Sequence, residues 1–336
     1  MSRYAEAHKN PAGPGDARPT ALQIIKDEGV EGKLVGKVIV ITGTSSGIGI
    51  ETARALALTG ARLFLVARDL GKAEKALEGI YTPGKDELIE MDNTSLGSVR
   101  TAAKTILEKS NNQVNILINN AGIMAVPDLQ YTKDGHELQF GVNHLAHFLL
   151  FELLKPALLA SSSKSLSSRV INVSSSAHHM AGLNKNSDYN FNSTEYTPYG
   201  SYGQSKTANI YMANEIERRY GSKGLHATSL HPGMIQTNLM QFLDPEVVQG
   251  MLAANPGIEN NFKSPEQGAA TTIWAAIGKE WEDKGGEYLF DVAKTELGKE
   301  SGTMLAEGYA DYAYDEEAEA RLWKDSLKIV GLTDSA

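Results

Sequence analysis

Val38-Ile39-Val40-Ile41-Thr42-Gly43-Thr44-Ser45-Ser46-Gly47-Ile48-Gly49 is the part of this 336-residue chain from which its fold can be read. The β-branched start predicts a buried strand, and the apolar pattern from Ile50 to Leu58 predicts a helix that ends at Gly60. Glycines between a strand and a helix let the backbone approach a phosphate, and the free amides of the helix favour the anion. The stretch therefore predicts a dinucleotide-binding turn.

Two other interpretations of this turn remain open. It could be a plain tight connection, or Gly43 to Gly47 could be the nucleophile elbow of a serine hydrolase with Ser45 as nucleophile. An elbow does not require the additional Ile48-Gly49, whereas phosphate approach uses it, so the dinucleotide interpretation is favoured.

The next strand, Arg62 to Ala67, ends at Arg68-Asp69. In dinucleotide-binding folds, the residues at this position determine the specificity for NAD or NADP. An acid at this point binds the ribose hydroxyls of NAD, and an arginine accommodates the extra phosphate of NADP. Because Arg68 comes first, NADP is favoured. There are two alternatives. Arg68 could be solvated while Asp69 caps the following helix, or Asp69 could bind the ribose hydroxyls.

Strand and helix patterns alternate along the rest of the chain, which predicts an α/β fold with a parallel sheet covered on both faces. The further predicted strands are Glu87 to Met91, Val114 to Ile118, Arg169 to Val173 and Leu225 to Leu230, and the predicted helices are Leu96 to Lys109 and Gly135 to Leu159. Ligands of such sheets bind beyond the carboxyl ends of the strands, where the polar clusters of this sequence fall.

Tyr202-Gly203-Gln204-Ser205-Lys206 can place a phenol and an ammonium four residues apart on one helical face. A nearby cation favours the phenolate and so lowers the pKa of a tyrosine, which is otherwise too high for acid-base work at neutral pH. Tyr81 to Lys85 has the same spacing, but its Pro-Gly pair predicts a turn. The run from Thr207 to Tyr220 continues the Tyr202 segment as a helix.

Composition excludes several classes of protein. The chain is 41% hydrophobic and 22% charged, as in soluble globular proteins, and it has no cysteine for disulfides or thiolate chemistry. A net charge of -9 argues against a nucleic-acid partner. The sequence shows neither an apolar run of ~20 residues nor the core of a signal peptide, so we expect no transmembrane segment and a cytoplasmic location. Its histidine pairs lack an accompanying metal motif, so no metal site is predicted.

Several motifs together resemble the short-chain dehydrogenase/reductases over about residues 36 to 295. They are Thr42 to Gly49, Asn119-Asn120-Ala121-Gly122, Ser175, Tyr202 to Lys206 and Pro232-Gly233. Gly141 to Phe148, Val173 to His178 and Arg321 to Ser326 resemble the retinol-dehydrogenase-like branch, to which fungal tailoring reductases are similar. A length prior of about 150 residues per domain suggests two domains. The resemblance implies instead one Rossmann-type, doubly wound domain of about seven parallel strands over residues 36–336. The prolines and glycines of residues 1–35, with only a short apolar patch at Leu22 to Ile25, predict an N-terminal arm that is packed on the fold or loosely attached to it.

The resemblance also implies roles for individual residues. The implied catalytic residues are Asn143, Ser175, Tyr202 and Lys206, and the implied NADP-binding residues are Gly43, Ser45, Ser46, Gly47, Ile48, Gly49, Arg68, Asp92, Asn93, Asn119, Ala121, Gly122, Tyr202, Lys206, Pro232, Ile235 and Thr237. NADPH would give hydride to a carbonyl carbon while Tyr202 protonates the oxygen, Ser175 hydrogen-bonds it and Asn143 anchors a water. Strand alternation leaves Ser174 and Ser176 as structural neighbours of Ser175.

The segments around the expected site indicate the substrate class. The stretch between Ser175 and Tyr202 is longer than usual in the family and is either a surface loop or a wall of the pocket. Apolar residues such as Met240, Phe242 and Leu243 predict a lid over about residues 234–264, and a closing helix is predicted over about residues 309–331. We therefore expect a lipophilic carbonyl or alcohol as substrate and, from the resemblance, a possible homo-oligomer. The alternative is an NADP-binding sensor or scaffold without turnover.

Overall fold

A computed structural model describes residues 2–243, 245–299 and 302–334 of the chain. Its strands are β1 (Val38–Thr42), β2 (Arg62–Ala67), β3 (Glu87–Glu90), β4 (Ile116–Asn119), β5 (Ser168–Val173), β6 (Leu225–Leu230), β7 (Met234–Ile235), β8 (Phe262–Lys263), β9 (Tyr288–Phe290) and β10 (Ala293–Lys294). Its α-helices are α1 (Ala5–His8), α2 (Ala21–Glu28), α3 (Ile48–Ala57), α4 (Leu70–Ala76), α5 (Leu96–Lys109), α6 (Leu138–Phe140), α7 (Ala146–Ser161), α8 (Pro198–Tyr220), α9 (Pro245–Ala254), α10 (Pro265–Gly268), α11 (Ala270–Ile277) and α12 (Glu316–Ile329).

The main sheet has the strand order β10-β9-β6-β5-β4-β1-β2-β3, and every pair in it is parallel except β9 with β10. The predicted doubly wound parallel sheet of about seven strands is confirmed, with the antiparallel β10 added at one edge. Because the chain runs outward from β1 in one direction and from β4 in the other, the switch point lies between these two strands. The site of such a fold is expected beyond their carboxyl ends.

Side-chain alternation along β1 explains why the sheet is covered on both faces. Val38 and Val40 belong to one buried cluster, and Ile39 and Ile41 belong to the cluster on the opposite face. Successive side chains of a strand point to opposite faces, so a continuous apolar run such as this one needs helices on both sides.

Most predicted boundaries agree with the structure, and three segments differ. The predicted helix from Gly135 begins at Leu138 and contains a π-helical turn at Gly141–Leu145 before α7. The predicted closing helix from about residue 309 begins only at Glu316, because the Asp315 side chain accepts a hydrogen bond from the Ala318 amide and caps it there. The predicted lid consists of short elements, with β7 and β8 paired in parallel at its two ends.

The N-terminal arm is packed on the domain. Helix α2 lies against α3 and α11, and its Ile24 and Ile25 are fully buried in the core. Thr20 caps the helix through its hydroxyl, and Gly29 ends it in a left-handed conformation. Within residues 2–243, 245–299 and 302–334, nothing helical has both the length and the apolar composition needed to cross a bilayer.

Candidate active site

A cavity of about 590 Å³ opens at the carboxyl end of the sheet, where β1 and β4 diverge. One end is lined by the glycine turn after β1 and by residues that follow β2 and β3. The other end is lined by apolar side chains of the lid. The predicted residues Ser175, Tyr202 and Lys206 line the same cavity as the glycines.

The glycine turn is shaped by close backbone contacts. A Cβ at Gly43 would lie 2.8 Å from the Ala121 Cα, and one at Gly49 would lie 2.2 Å from the Gly43 carbonyl oxygen. The Asn120 side chain braces the turn by donating from Nδ2 to the Thr42 carbonyl at 2.8 Å. Only glycine fits these two positions, so the turn packs closely against the backbone after β4 and leads directly into α3 beside the cavity. This arrangement fits a diphosphate group, which backbone amides at a helix N-terminus bind well.

Two cations stand beyond the end of β2, where one was predicted. Arg68 and Lys72 are both exposed and both line the cavity. The Asp69 carboxylate instead accepts a hydrogen bond from the Lys72 amide at 2.9 Å and caps α4. Asp69 therefore caps the helix. This was one of the two alternatives for Asp69, the other being that it binds the ribose hydroxyls. Lys72 was not predicted, because its approach to the cavity depends on where α4 begins.

The predicted adenine-side residues Asp92 and Asn93 line the cavity. Burial raises the pKa of the Asp92 carboxyl, but hydrogen bonds from Lys133 and Thr94 outweigh this and hold it below the usual value. Asn119, by contrast, is buried within the sheet and donates from Nδ2 to Asn172 Oδ1 at 2.8 Å. It does not line the cavity, and its neighbour Asn120 does.

The remaining predicted cofactor residues line the cavity. They are Gly43, Ser45, Ser46, Gly47, Ile48 and Gly49 of the turn, Ala121 and Gly122 after β4, and Pro232, Ile235 and Thr237 at the start of the lid.

Helix α8 brings Tyr202 and Lys206 to the end of β5. Tyr202 is 2% exposed and Lys206 is 3% exposed, and the Lys206 Nζ lies 5.5 Å from the centroid of the Tyr202 ring. The Lys206 ammonium donates to the Val173 carbonyl at 3.0 Å, and the Ser174 hydroxyl donates to the Lys206 carbonyl at 2.7 Å. The Ser174 hydroxyl therefore holds the helix. Ser174, Ser175 and Ser176 all line the cavity, so strand alternation did not separate them, because β5 ends at Val173.

Burial dominates the acid-base properties of this pair. It raises the pKa of Tyr202 to about 12, against the opposing effect of a hydrogen bond with Ser175. It also lowers the pKa of Lys206 to about 7. Lys206 was predicted to lower the pKa of the Tyr202 phenol. The pKa is raised instead, because desolvation of both side chains disfavours both charged forms.

Asn143 lies in the π-helical turn and is fully buried, outside the lining of the cavity. Its Oδ1 accepts from the Ile123 amide at 2.9 Å, and its Nδ2 donates to the Ile123 carbonyl and to the Ser205 hydroxyl. The side chain therefore joins the segment after β4 to α8. These contacts position Gly122 and α8 relative to each other.

Apolar side chains surround the end of the cavity away from the glycine turn. Met124, Ala177 and Tyr202 form a buried cluster against which Tyr199, Leu239, Met240, Leu243 and Met304 pack. The predicted lid residues Met240, Phe242 and Leu243 line the cavity.

The long segment before Tyr202 reaches the cavity at Ser176 and Tyr199. Further along it, Tyr189 stacks on Phe140 with ring centroids 4.7 Å apart. Asn190 accepts a hydrogen bond from the Glu137 amide. The pocket-wall interpretation therefore holds for Ser176 and Tyr199, and Tyr189 and Asn190 pack on the rest of the domain.

Met304 and Leu305 were missed by the sequence reasoning, since they lie far from every motif. Two adjacent histidines hold this segment at the site: the Gly302 amide donates to the His179 carbonyl at 2.9 Å, and the Ala310 amide donates to His178 Nε2 at 3.1 Å. Because Nε2 is an acceptor here, the proton of neutral His178 is on Nδ1, which donates to the Ser175 carbonyl at 2.7 Å.

Comparison with known proteins agrees with this geometry. A family model described as "short chain dehydrogenase" matches residues 37–247. The chain belongs to the short-chain dehydrogenase family. It is therefore placed among oxidoreductases that bind a nicotinamide cofactor.

Relatives extend the similarity over almost the whole chain. The short-chain dehydrogenase/reductase prx1 of Penicillium roqueforti is 51% identical over 333 residues, covering 99% of this chain and 96% of the relative. Human retinol dehydrogenase 13 is 37% identical over 304 residues, covering 88% and 85%. A crystal structure of an uncharacterised protein from Mycobacterium paratuberculosis has 31% identity and a TM-score of 0.65, covering 89% of this chain and 94% of its own.

Proposed function

We propose that the protein is an NADP-dependent oxidoreductase that interconverts a carbonyl and an alcohol on a lipophilic small molecule. One observation carries the proposal: Ser175, Tyr202 and Lys206 line one cavity. Its one end is the glycine turn from Gly43 to Gly49, here called the phosphate cradle, and its other end is apolar. A polar reacting group and an apolar remainder of the substrate would both be accommodated there.

Each residue has a distinct part in the proposed reaction. The bound nicotinamide supplies or accepts the hydride. Ser175 donates a hydrogen bond to the substrate oxygen, and Tyr202 gives it a proton in reduction and takes that proton back in oxidation. Lys206 can donate to a sugar hydroxyl of the cofactor. Because Tyr202 is 2% exposed, bulk water does not compete for its proton.

Charge around the cavity supports NADP over NAD. Arg68 and Lys72 line the same end of the cavity, and Asp69 is engaged in capping α4. Two cations favour a phosphate on the ribose, and the carboxylate that would favour a free hydroxyl is directed elsewhere.

Replacing Tyr202 by phenylalanine tests the chemistry. Loss of a general acid typically costs 10²- to 10⁴-fold in rate, so turnover of aldehydes and ketones, followed by NADPH absorbance, should fall by about that factor. Binding of NADPH, followed by its fluorescence, should stay within about twofold. Unchanged turnover would refute the mechanism, and a wild-type protein that binds NADPH but turns over no carbonyl would favour the sensor alternative.

Tyr211→Phe is the matched control. Tyr211 lies on the same helix and is equally buried, but its hydroxyl donates to the Tyr312 carbonyl at 2.6 Å, away from the cavity. This variant should lose some stability and keep its turnover. Ser45→Ala addresses the hydrolase alternative: it should only weaken dinucleotide binding, and loss of an esterase activity would support the nucleophile interpretation.

A further inference from the structure

The N-terminal arm holds the far end of the substrate lid through one buried guanidinium. Arg18 is 5% exposed. It donates to the main-chain carbonyls of Asn260 at 3.2 Å, Asn261 at 3.0 Å and Phe262 at 2.6 Å. These are three consecutive residues at the end of the lid.

The partners of Arg18 are themselves built into the arm. Its Nε donates to Asp16 Oδ1 at 2.9 Å, and a terminal nitrogen also reaches the Gly13 carbonyl. The Gly13 amide donates back to the Asn260 carbonyl at 3.0 Å. A buried charge is tolerated only when it is paired and its donors are satisfied, and here the carboxylate and the carbonyls meet both requirements.

Gln267, just after the lid, closes the same network. Its Oε1 accepts from the Gly15 amide at 2.9 Å and from the Ser264 amide at 3.0 Å. Its Nε2 donates to the carbonyls of Asp16 and Arg18. The turn over residues 13–18 is thus joined both to the end of the lid and to the helix that follows it.

The clamped residues lead directly to the cavity. Phe262 lines the cavity and begins β8, which pairs in parallel with β7, where Ile235 also lines the cavity. Between these strands lie Leu239 and Met240, which pack on the Tyr202 cluster. A shift at Phe262 would therefore pass to the part of the lid that covers the proposed substrate.

Attachment of the arm does not require this network. Ile24 and Ile25 are fully buried in the core and already anchor α2 to the domain. The donors of Arg18, in contrast, are directed at lid carbonyls.

We propose that Arg18 is a positioning residue that fixes the closing end of the lid and thereby shapes the substrate end of the cavity. This role rests on the proposed function, because it gives the 238–262 segment the task of covering a substrate. Loss of the clamp loosens the lid and weakens substrate binding, while the phosphate cradle at the opposite end of the cavity is unaffected.

Arg18→Met removes the donors and keeps most of the aliphatic stem. Chymotrypsin can report on the lid because Phe242 is 42% exposed, and cleavage after it gives a fragment that ends at residue 242. We expect cleavage there to become at least ~10-fold faster in the full-length variant, because the charge-assisted hydrogen bonds that hold the end of the lid are lost. The KM for a carbonyl substrate should rise at least ~5-fold, and by more than the Kd for NADPH, because, of the expected cofactor residues, only those at the start of the lid adjoin β8.

Arg169→Met is the matched control. Arg169 is an equally buried arginine whose guanidinium donates to the carbonyls of Ala276 at 2.9 Å and Gly278 at 3.0 Å, away from the lid. It should lower overall stability without accelerating cleavage at Phe242 or raising KM. Equal cleavage rates in the two arginine variants, compared at equal margins below their melting temperatures, would overturn the proposal.

Asp16→Asn provides a second variant if Arg18→Met does not fold. It weakens the ion pair while leaving the guanidinium in place, and should give a smaller change in the same direction. No change in cleavage or KM would contradict the clamp. Cleavage does not depend on turnover, so faster cleavage in a protein that reduces no carbonyl would refute the proposed function and leave the clamp standing.

Discussion

Replacing Arg68 and Lys72 together by alanine should remove most of the preference for NADPH over NADH. Both side chains line the cavity and both are exposed, with Arg68 just before the Asp69 cap of α4 and Lys72 in the first turn of that helix. The extra phosphate of NADP carries about two negative charges at neutral pH, so each lost cation removes a direct attraction. NADH lacks that phosphate and loses only the weaker attraction to its diphosphate.

The size of the effect follows from exposure. A hydrogen bond to a charged group contributes about 1.5 to 3 kcal/mol, and solvent screening reduces an exposed pair to about 1 kcal/mol. Loss of both cations should therefore cost about 2 kcal/mol, which corresponds to a rise of ~30-fold in the Kd for NADPH. The Kd for NADH should change by less than about threefold.

Fluorescence titration of both dinucleotides measures these constants, and repeating it at ~0.05 and ~0.5 M salt tests their electrostatic origin. The salt dependence of NADPH binding should be weaker in the double variant. Lys75→Ala is the control, since Lys75 is an exposed cation on the same helix that lies outside the cavity lining. Equal losses of NADPH and NADH, or an equal effect of Lys75→Ala, would refute the reasoning.

Two further predictions concern protons. Burial lowers the pKa values of His144 to about 3, His147 to about 4 and His178 to about 3, so the unfolded chain takes up protons first on acidification. Urea unfolding should show that the free energy of unfolding falls below pH 6.5, by about 2 kcal/mol per histidine between pH 7 and 5. His144→Gln should reduce this fall by about 2 kcal/mol. The same pH dependence in the variant and the wild type would contradict the prediction. Burial lowers the pKa of Lys206 to about 7, and binding of an anionic dinucleotide should raise this pKa. Calorimetry near pH 8, in buffers of different ionisation enthalpy, should therefore detect proton uptake on binding. If the uptake persists in Lys206→Met, this lysine is not its source.

Local sequence was sufficient to predict most strands and helices of the central sheet. The strand Val38–Thr42 depends on a continuous run of β-branched residues, and the glycines after it on positive backbone angles such as the φ of +75° at Gly43. Both are properties of a few adjacent residues. The bounds of Leu96–Lys109 and Leu225–Leu230 were predicted to the residue for the same reason. Short strands such as Tyr288–Phe290 carry no comparable pattern, and the sheet edge they form was missed.

The properties of the candidate site depended more on tertiary structure. The spacing of Tyr202 and Lys206 predicted their proximity but not their burial, and burial determines the pKa values of both. Arg68 could be predicted from its place after a strand, whereas Lys72 needed knowledge of where α4 begins.

The segments at the apolar end of the cavity are held by contacts of one kind, and sequence patterns did not reveal these contacts, although they did predict the lid. Loops have few repeating hydrogen bonds of their own, so their main-chain groups must be satisfied by side chains or main chain from elsewhere. Arg18 does this for the end of the lid from more than 240 residues away, and His178 with His179 does it for the segment that carries Met304. Such contacts have no periodicity in the sequence. Because each one also touches the frame around Ser175 or Ile235, the precision of the proposed site depends on distant residues that no motif contains.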